Sequence, residues 1–543
     1  MTDEVPSLAT ALERARALGR AGQDDAAKQA YIEVLRQDPR DFNALNELGT
    51  LAWAGGYRSA ARTAYTQAVA HHPDNVVGRV NLGNLLREEQ DVAGARAEYE
   101  AALALDRELH EAHQGMAWVL GELGLDGAEE HRRRGFTGRS LVTQPYRGTG
   151  QGVPLVLLVS ARGGNIPTRL WIDDRRFTIH AIYADYFDPD QPLPPHALIM
   201  NAIGDADLCG LALERAEALA ARTTAPVINL PARVKVTGRA ENARRLGSIS
   251  DVIAPRIETW TRASLEPGQV LESGLGFPPG RGLEFPLLLR SPGFHTGRHF
   301  VYVERREALA GAVAALRGEE LLAIEYLDAR GADGRARKYR VMFIDGVLYP
   351  LHLAVSTDWK VHYFSADMAR HAAFREEERR FLRDMPGVLG PRAMRALERV
   401  CAALALVPSA PGEIWDYRRP AIETALEAAR RLLDTHAGPL RAITRRSRRN
   451  QCLTHAGREA PYTAEGKTAS ARHAVQGVPW PAVERGVIRD SPSSTRPGSP
   501  AFTPGTVAIF CSHLPVGNPG WRPPASPAAV AIRESASSRQ RRP

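Results

Sequence analysis

The stretch FPLLLRSPGFHTGRHFVYVE, residues 285–304, sets Arg290 at the end of one apolar run and two glycines, Gly293 and Gly297, ahead of a second run. The two runs predict the strands of a hairpin. Glycines leave backbone N–H groups bare, and a guanidinium beside them adds a planar cation. Together these are what a polyphosphate needs. A plain surface hairpin with an incidental arginine fits the same residues, so the neighbouring segments must decide.

Upstream, PLVLLVS (154–160), HALIMN (196–201) and APVINL (225–230) are short apolar runs followed by polar loops, with a helical stretch, LCGLALERAEALAARTT, after the second. Strand–helix alternation predicts a mostly parallel sheet, whose ligands gather at the carboxyl ends of the strands. Asn165, Asn201, Asp205 and Asp207 lie in those loops and are candidate substrate contacts, with turn capping as the alternative for each. Downstream, ELLAIEYLDARGADGRARKYRVMFIDGVLYPLHLA (320–354) predicts three antiparallel strands, turning at Asp333-Gly334 and at Asp345-Gly346. WKVHYFSADM (359–368) predicts a further strand, on which His362 and Tyr363 either line a substrate pocket or pack the sheet.

The order of these pieces resembles the ATP-grasp fold of glutathione synthetase and related carboxylate–amine ligases. The likeness covers about residues 154–405. VINLPARVKVTGRAENARRL with its following IAPR is similar to the connection into that family's nucleotide domain. LLLRSPGFHTG stands where the family has a phosphate-contacting basic residue and a flexible glycine loop. AIEYL matches the hinge segment that meets the adenine edge, and KYRV matches a segment whose arginine faces phosphates and acyl group. The resemblance therefore implies ATP as ligand, held by Arg290, Gly293, Gly297, Glu325 and Tyr326, with Arg340 in a catalytic position. It implies Asn165, Asn201, Asp205 and His362 on the substrate side. Arg290 replaces the usual lysine, which keeps the charge and changes the geometry.

The family also holds magnesium on an acidic residue and a later Glu-x-Asn pair, because the metal must bridge phosphate oxygens. This chain has no asparagine from 243 to 449, and after RAMRALERVCAALAL (392–406) it runs into VPSAPGE. Glu376, Glu377, Glu378, Asp384 and Glu398 sit in charged helical surroundings and read as a solvated face. No metal ligands are assigned, so ATP binding without ligase turnover is the expectation.

The elements that would carry this chemistry follow a different module. Tyr31, Tyr65 and Tyr99 recur every 34 residues, as do Ala27, Ala61 and Ala95; Pro39 and Pro73, and Leu48-Gly49 and Leu82-Gly83, keep the same step. This pattern resembles the tetratricopeptide repeat, with small residues where paired helices approach and tyrosine filling the gap. A weaker fourth unit, HEAHQGMAWVLGELGLDGAEEHRRRGF, reads as a terminal repeat. The resemblance implies a concave face that holds a protein or peptide.

The chain of 543 residues is too long for one core. The reading is a helical solenoid (1–137), an α/β domain (150–262) after the linker TQPYRGTGQG, an α+β nucleotide-binding domain (263–436), and a basic disordered tail (437–543). The tail holds 16 Lys+Arg against 5 Asp+Glu, so the net charge of +8 becomes −3 over the rest. Nucleic-acid binding by the folded part is accordingly not expected. No apolar run reaches the roughly 18 residues of a membrane span. Four scattered cysteines without a CxxC pair fit a reducing, cytoplasmic setting. Two function classes remain: an ATP-binding protein of ligase type, and a protein-interaction scaffold with no nucleotide chemistry.

Overall fold

The computed structural model describes residues 7–168, 171–265, 284–294, 298–361, 366–404 and 416–437. Gly297, His362, Tyr363, the VPSAPGE segment and everything beyond residue 437, including the predicted tail, lie outside them. Contacts divide the chain into two units, one ending at Gly135 and one starting at Phe136.

The first unit is a series of helical hairpins: α1 (Leu8–Arg20), α2 (Asp24–Gln37), α3 (Phe42–Ala54), α4 (Arg58–His71), α5 (Val76–Glu88), α6 (Val92–Leu105), α7 (His110–Leu123) and α8 (Ala128–Phe136). The sequence period is the hairpin period. Pro39 and Pro73 each follow a second helix by two residues, where a helix can no longer continue. Two residues later Asp41 and Asn75 cap the next helix. Asp41 accepts the Ala44 N–H at 2.7 Å, and Asn75 accepts the N–H groups of Val77 and Gly78. Each cap is worth about 1 kcal/mol. Tyr65 and Tyr99 are almost wholly buried, and Ala27, Ala61 and Ala95 are completely so. The glycines are compulsory here. A Cβ on Gly49 would stand 2.7 Å from the Tyr65 ring, and one on Gly83 2.8 Å from the Tyr99 ring.

The second unit is mixed α/β. Its first sheet has the order β1-β3-β2-β4-β5, from β1 (Leu141–Thr143), β2 (Val153–Val159), β3 (Phe177–Tyr183), β4 (Leu198–Asn201) and β5 (Val227–Ile228). All neighbours run parallel except β1, which is antiparallel to β3. The near-continuous apolar run of β2 is what a strand covered on both faces requires. Two features were not expected. The strand β3 comes from FTIHAIY, and the segment read as a linker is part of the sheet, with Thr143 in β1 and the Gln144 N–H donating to Ile179. Helices α9 (Gly210–Ala220), α10 (Pro231–Lys235) and α11 (Arg239–Gly247) follow strands β4 and β5.

A second sheet, all antiparallel, has the order β6-β9-β7-β8, from β6 (Ile257–Thr261), β7 (Leu287–Arg290), β8 (Phe300–Val303) and β9 (Glu320–Glu325). The hairpin expected around Arg290 is the β7–β8 pair. Alternation sorts its faces. Leu287, Leu289 and Val303 pack with the helix α12 (Leu309–Ala315), whereas Leu288, Phe300 and Tyr302 stand on the other side. The long strands β10 (Ala336–Ile344) and β11 (Val347–Ser356) form their own two-stranded sheet. They turn at Asp345-Gly346, both at positive φ. The sequence reading of three paired strands is thus corrected: β9 pairs with β6 and β7, not with β10. Residues 326–335 connect two sheets rather than close one hairpin. The predicted strand at 359–368 is also absent from its described residues, which form bends and a turn.

Odd positions of β10 (Tyr339, Val341, Phe343) pack with α13 (Ala372–Arg383) and with α14 (Met385–Leu404), which bends at Gly390. Met342 and Ile344 join the core of the first sheet together with Ile422, Leu426 and Leu433 of α15 (Arg419–Ala437). Glu378 corrects another expectation. It is completely buried, accepts the Leu353 N–H at 3.1 Å, and is bonded by Tyr417 and by the buried Arg418. Glu376, Asp384 and Glu398 are exposed and Glu377 is partly so, as the charged face predicted, with Glu376 and Glu377 pairing with Arg379 and Arg337.

Candidate functional site

Two places in the chain gather polar chemistry, one in each unit. In the first unit, α5 packs on both α3 and α7, so the first helices of the hairpins form the close inner layer. Asn46, Asn81, Asn84 and Arg87 are buried in that layer. Asn81 donates to Asn46 at 2.7 Å, Trp53 donates to Glu88, and Arg87 lies over the Trp118 ring at 5.7 Å. Carboxamide, guanidinium and indole groups therefore tie neighbouring repeats across one surface. Tyrosine hydroxyls are fixed from the same layer. Tyr65 bonds to Thr50 at 3.0 Å and Tyr99 donates to Asn84 at 2.8 Å. Thr50 and Asn84 are themselves 34 residues apart, a signal visible in the sequence and missed.

In the second unit, Arg290 ends β7 on the same face as Leu288, with its guanidinium 5.5 Å over Phe300. On that face Tyr302 meets Tyr326 (5.1 Å between ring centres) and Trp359 (5.5 Å). Tyr326 directly follows β9, and desolvation lifts its hydroxyl to about 12. Lys338 and Arg340 alternate on β10 with Met342 and Ile344, so both project from one face of that strand. Lys360 follows β11.

These cations share one recess. Desolvation, with Arg340 and Arg290 nearby, lowers the Lys338 amine to about 8. Desolvation alone lowers Arg340 to about 10, and desolvation with Arg239 nearby does the same to Arg290. Lys360 is lowered by desolvation, with Asp358 opposing and Arg290 adding to the shift. Protein crowds all four, yet solvent still reaches part of each side chain. A surface bump would be open on most sides, and a core residue closed on all.

The residues expected on the substrate side border the same region and are largely committed to local structure. Both ends of the Asn165 amide bond Ser160, at 2.7 and 2.8 Å. Asn201 bonds Ile203 in the same way and also accepts, through its carbonyl, from Asn229. Asp205 accepts the Leu208 N–H at 3.0 Å and lies 3.5 Å from Arg239, which Asp207 grips more closely. Gly293 takes φ +77° with Leu208 beside it, so the glycine turn meets the loop after β4. Glu325 accepts the Arg256 N–H at 2.9 Å.

The fit to magnesium is poor. Among the described residues, no three His, Cys, Asp or Glu side chains gather where they could hold a metal ion. Asp207 is paired with Arg239, Glu325 accepts the Arg256 N–H and Asp205 the Leu208 N–H, while Asp358 is exposed and acts on Lys360. Lys338 and Lys360 were not singled out from the sequence. The i, i+2 spacing of Lys338 and Arg340 on a strand was the available signal. Among the described residues, no helix is long and apolar enough to cross a membrane.

No family model and no curated relative matches this chain. Among solved structures it is similar to MamA AMB-1 at 19% identity, covering 24% of this chain and 71% of that one, with a TM-score of 0.22. A second MamA structure gives 18% identity, 24% and 76% coverage and a TM-score of 0.23. A MamA RS-1 double mutant gives 20% identity, 24% and 74% coverage and the same score. Scores this low add nothing to what the helices and their 34-residue period already show. The fold defines a helical-repeat chain carrying a mixed α/β unit.

Proposed function

We propose that this chain is a protein-interaction scaffold whose helical repeats hold an extended protein or peptide segment on their inner layer. The carrying observation is the line of Asn46, Asn81, Asn84, Arg87 and Trp118 across three successive first helices. The buried carboxamides and guanidinium hold the three helices in register, and the partly exposed Trp118 indole beside Arg87 supplies an anchor on the face they shape. The test is a random-peptide display on the full chain, repeated with Asn81→Leu/Arg87→Ala. Enrichment that the double variant loses supports the reading. Equal enrichment by both proteins, with unchanged helicity, overturns it.

A second reading is favoured by the cationic recess: the α/β unit binds ATP, as its resemblance to the ATP-grasp fold implies. Arg290 and the Gly293 turn address the phosphate chain, Tyr326 and its aromatic neighbours the base, and Arg340 the far phosphates. Arg290→Ala should then weaken ATP binding by about 1.5–3 kcal/mol, the usual worth of a hydrogen bond to a charged group. Equal affinities by calorimetry would remove this reading. No ligase step is derived, since the described residues supply no cage for magnesium.

A further inference from the structure

We infer that the contact between His113 and His131 is a pH-sensitive latch, which holds the first turn of α8 on α7 at neutral pH and releases it on acidification. Nδ1 of His113 stands 2.9 Å from Nδ1 of His131, with the ring centres 4.9 Å apart. The other nitrogen of His113, Nε2, lies 2.9 Å from the Arg107 carbonyl oxygen. A carbonyl can only accept, so Nε2 carries the ring proton and Nδ1 presents a lone pair. His131 must then donate its own Nδ1–H. A proton added to His113 turns the lone pair into a second N–H, and two donors face each other. The bond does not survive that. A proton on Nε2 of His131, by contrast, leaves its donor in place.

His113 is buried, and the charged groups around the pair are already engaged. On α8, Arg134 and Glu130 act on His131 with opposite signs, and Glu130 is itself bonded by Arg133 and Arg134. Desolvation, followed by His113, holds the His131 imidazole below its ordinary value. In the turn before α7, Asp106 accepts the Glu108 N–H. Of the helices packed on α7, α6 contributes Tyr99, which donates to Asn84, and α5 contributes Arg87 over Trp118 and Glu88, bonded by Trp53. His110, one turn earlier on α7, supplies a contrast. Its Nδ1 donates to the Arg134 carbonyl at 2.7 Å, a bond that a second ring proton leaves intact. With Gln114 donating to Gly135 at 2.8 Å, it anchors the far end of α8 whether or not its ring is charged. Acid therefore frees the near end alone. There Ala128 packs on the core that contains Leu120, so release uncovers the apolar end of the repeats.

Hydrogen exchange of the full chain at pH 7.5 and 5.0, corrected for intrinsic rates and read on peptides spanning α8, tests it. An imidazole released to solvent titrates near 6.5. One proton site available only in the open form therefore favours opening by about thirtyfold over that interval. The wild type should lose protection by at least that factor. His113→Asn keeps an acceptor facing His131 that no proton can occupy, so its loss should be about thirtyfold smaller. His110→Asn should respond to acid as the wild type does. A wild-type loss below about threefold overturns the inference, as does an equal loss in His113→Asn. If His113→Asn leaves α8 unprotected at both pH values, nitrogen-15 spectra of the wild-type histidines decide. His113 protonated at Nε2 and His131 at Nδ1 at pH 7.5 support the latch, and any other pair of tautomers removes it.

Discussion

The two units treat buried polar groups in opposite ways. In the helical repeats the groups are matched: Asn81 to Asn46, Tyr99 to Asn84, Tyr65 to Thr50. In the α/β unit, desolvation depresses the pKa values of Arg290, Lys338 and Arg340, with Arg340 and Arg290 adding to the shift of Lys338. Matched polar groups add to stability and fix register, whereas same-sign crowding costs stability in the ligand-free protein. The repeats therefore spend their buried polar groups on holding neighbouring helices in register, whereas the α/β unit keeps buried cations at a cost.

The largest test of this contrast concerns the exception, the matched ion pair of the second unit. Glu378→Ala strands the buried Arg418 and should destabilise that unit by about 3–5 kcal/mol, read by chemical denaturation. Glu378→Gln, which keeps the shape and some hydrogen bonds, should cost less. Loss of the Tyr65 ring comes next. Tyr65→Ala should cost about 3–4 kcal/mol in the first unit, because Gly49 leaves nothing to fill the void. A cost below about 1 kcal/mol would mean the ring is not the wedge between the helices.

A smaller effect tests the recess without any ligand. Lys338 has a folded pKa of about 8 against 10.5 for the ordinary amine, so the unfolded chain binds more protons between those values. Stability should therefore rise with pH across that window. The cost of the buried charge is fully present below about 8 and gone above 10.5. Relative to Lys338→Met, the wild type should gain about 1–3 kcal/mol from pH 7.5 to 10.5. Parallel pH profiles of the two proteins would show that the amine is not desolvated. The smallest expected effect is in the repeats. Thr50→Val, which keeps the volume and removes the hydroxyl, should cost about 1 kcal/mol. Asn84→Leu should cost a comparable amount if the two positions are equivalent.

What the sequence revealed followed the range of the interactions. The repeats were legible because each tyrosine, glycine and proline meets a partner within a single period. The β7–β8 hairpin and the Asp345-Gly346 turn were legible for the same reason. The partners of β9 were not, since β6 lies some sixty residues earlier and pairs Ile257 with Ile324. Glu378 looked like one of a run of three surface carboxylates; its burial depends on Arg418, 40 residues on. Arg290 and Arg340 were picked out by resemblance. Lys338 escaped because a basic residue on a strand looks ordinary until two other cations face it.

Glu378 also bears on the order in which the protein is completed during synthesis. Its partners on β11 emerge before it, but Tyr417 and Arg418 leave the ribosome only some 40 residues later. Until then the α/β unit would have to enclose a lone carboxylate, so its final closure waits for the segment that opens α15. The repeats depend on no such distant partner. Each hairpin can settle as soon as the next has been made, leaving the N-terminal unit finished while the second is still open.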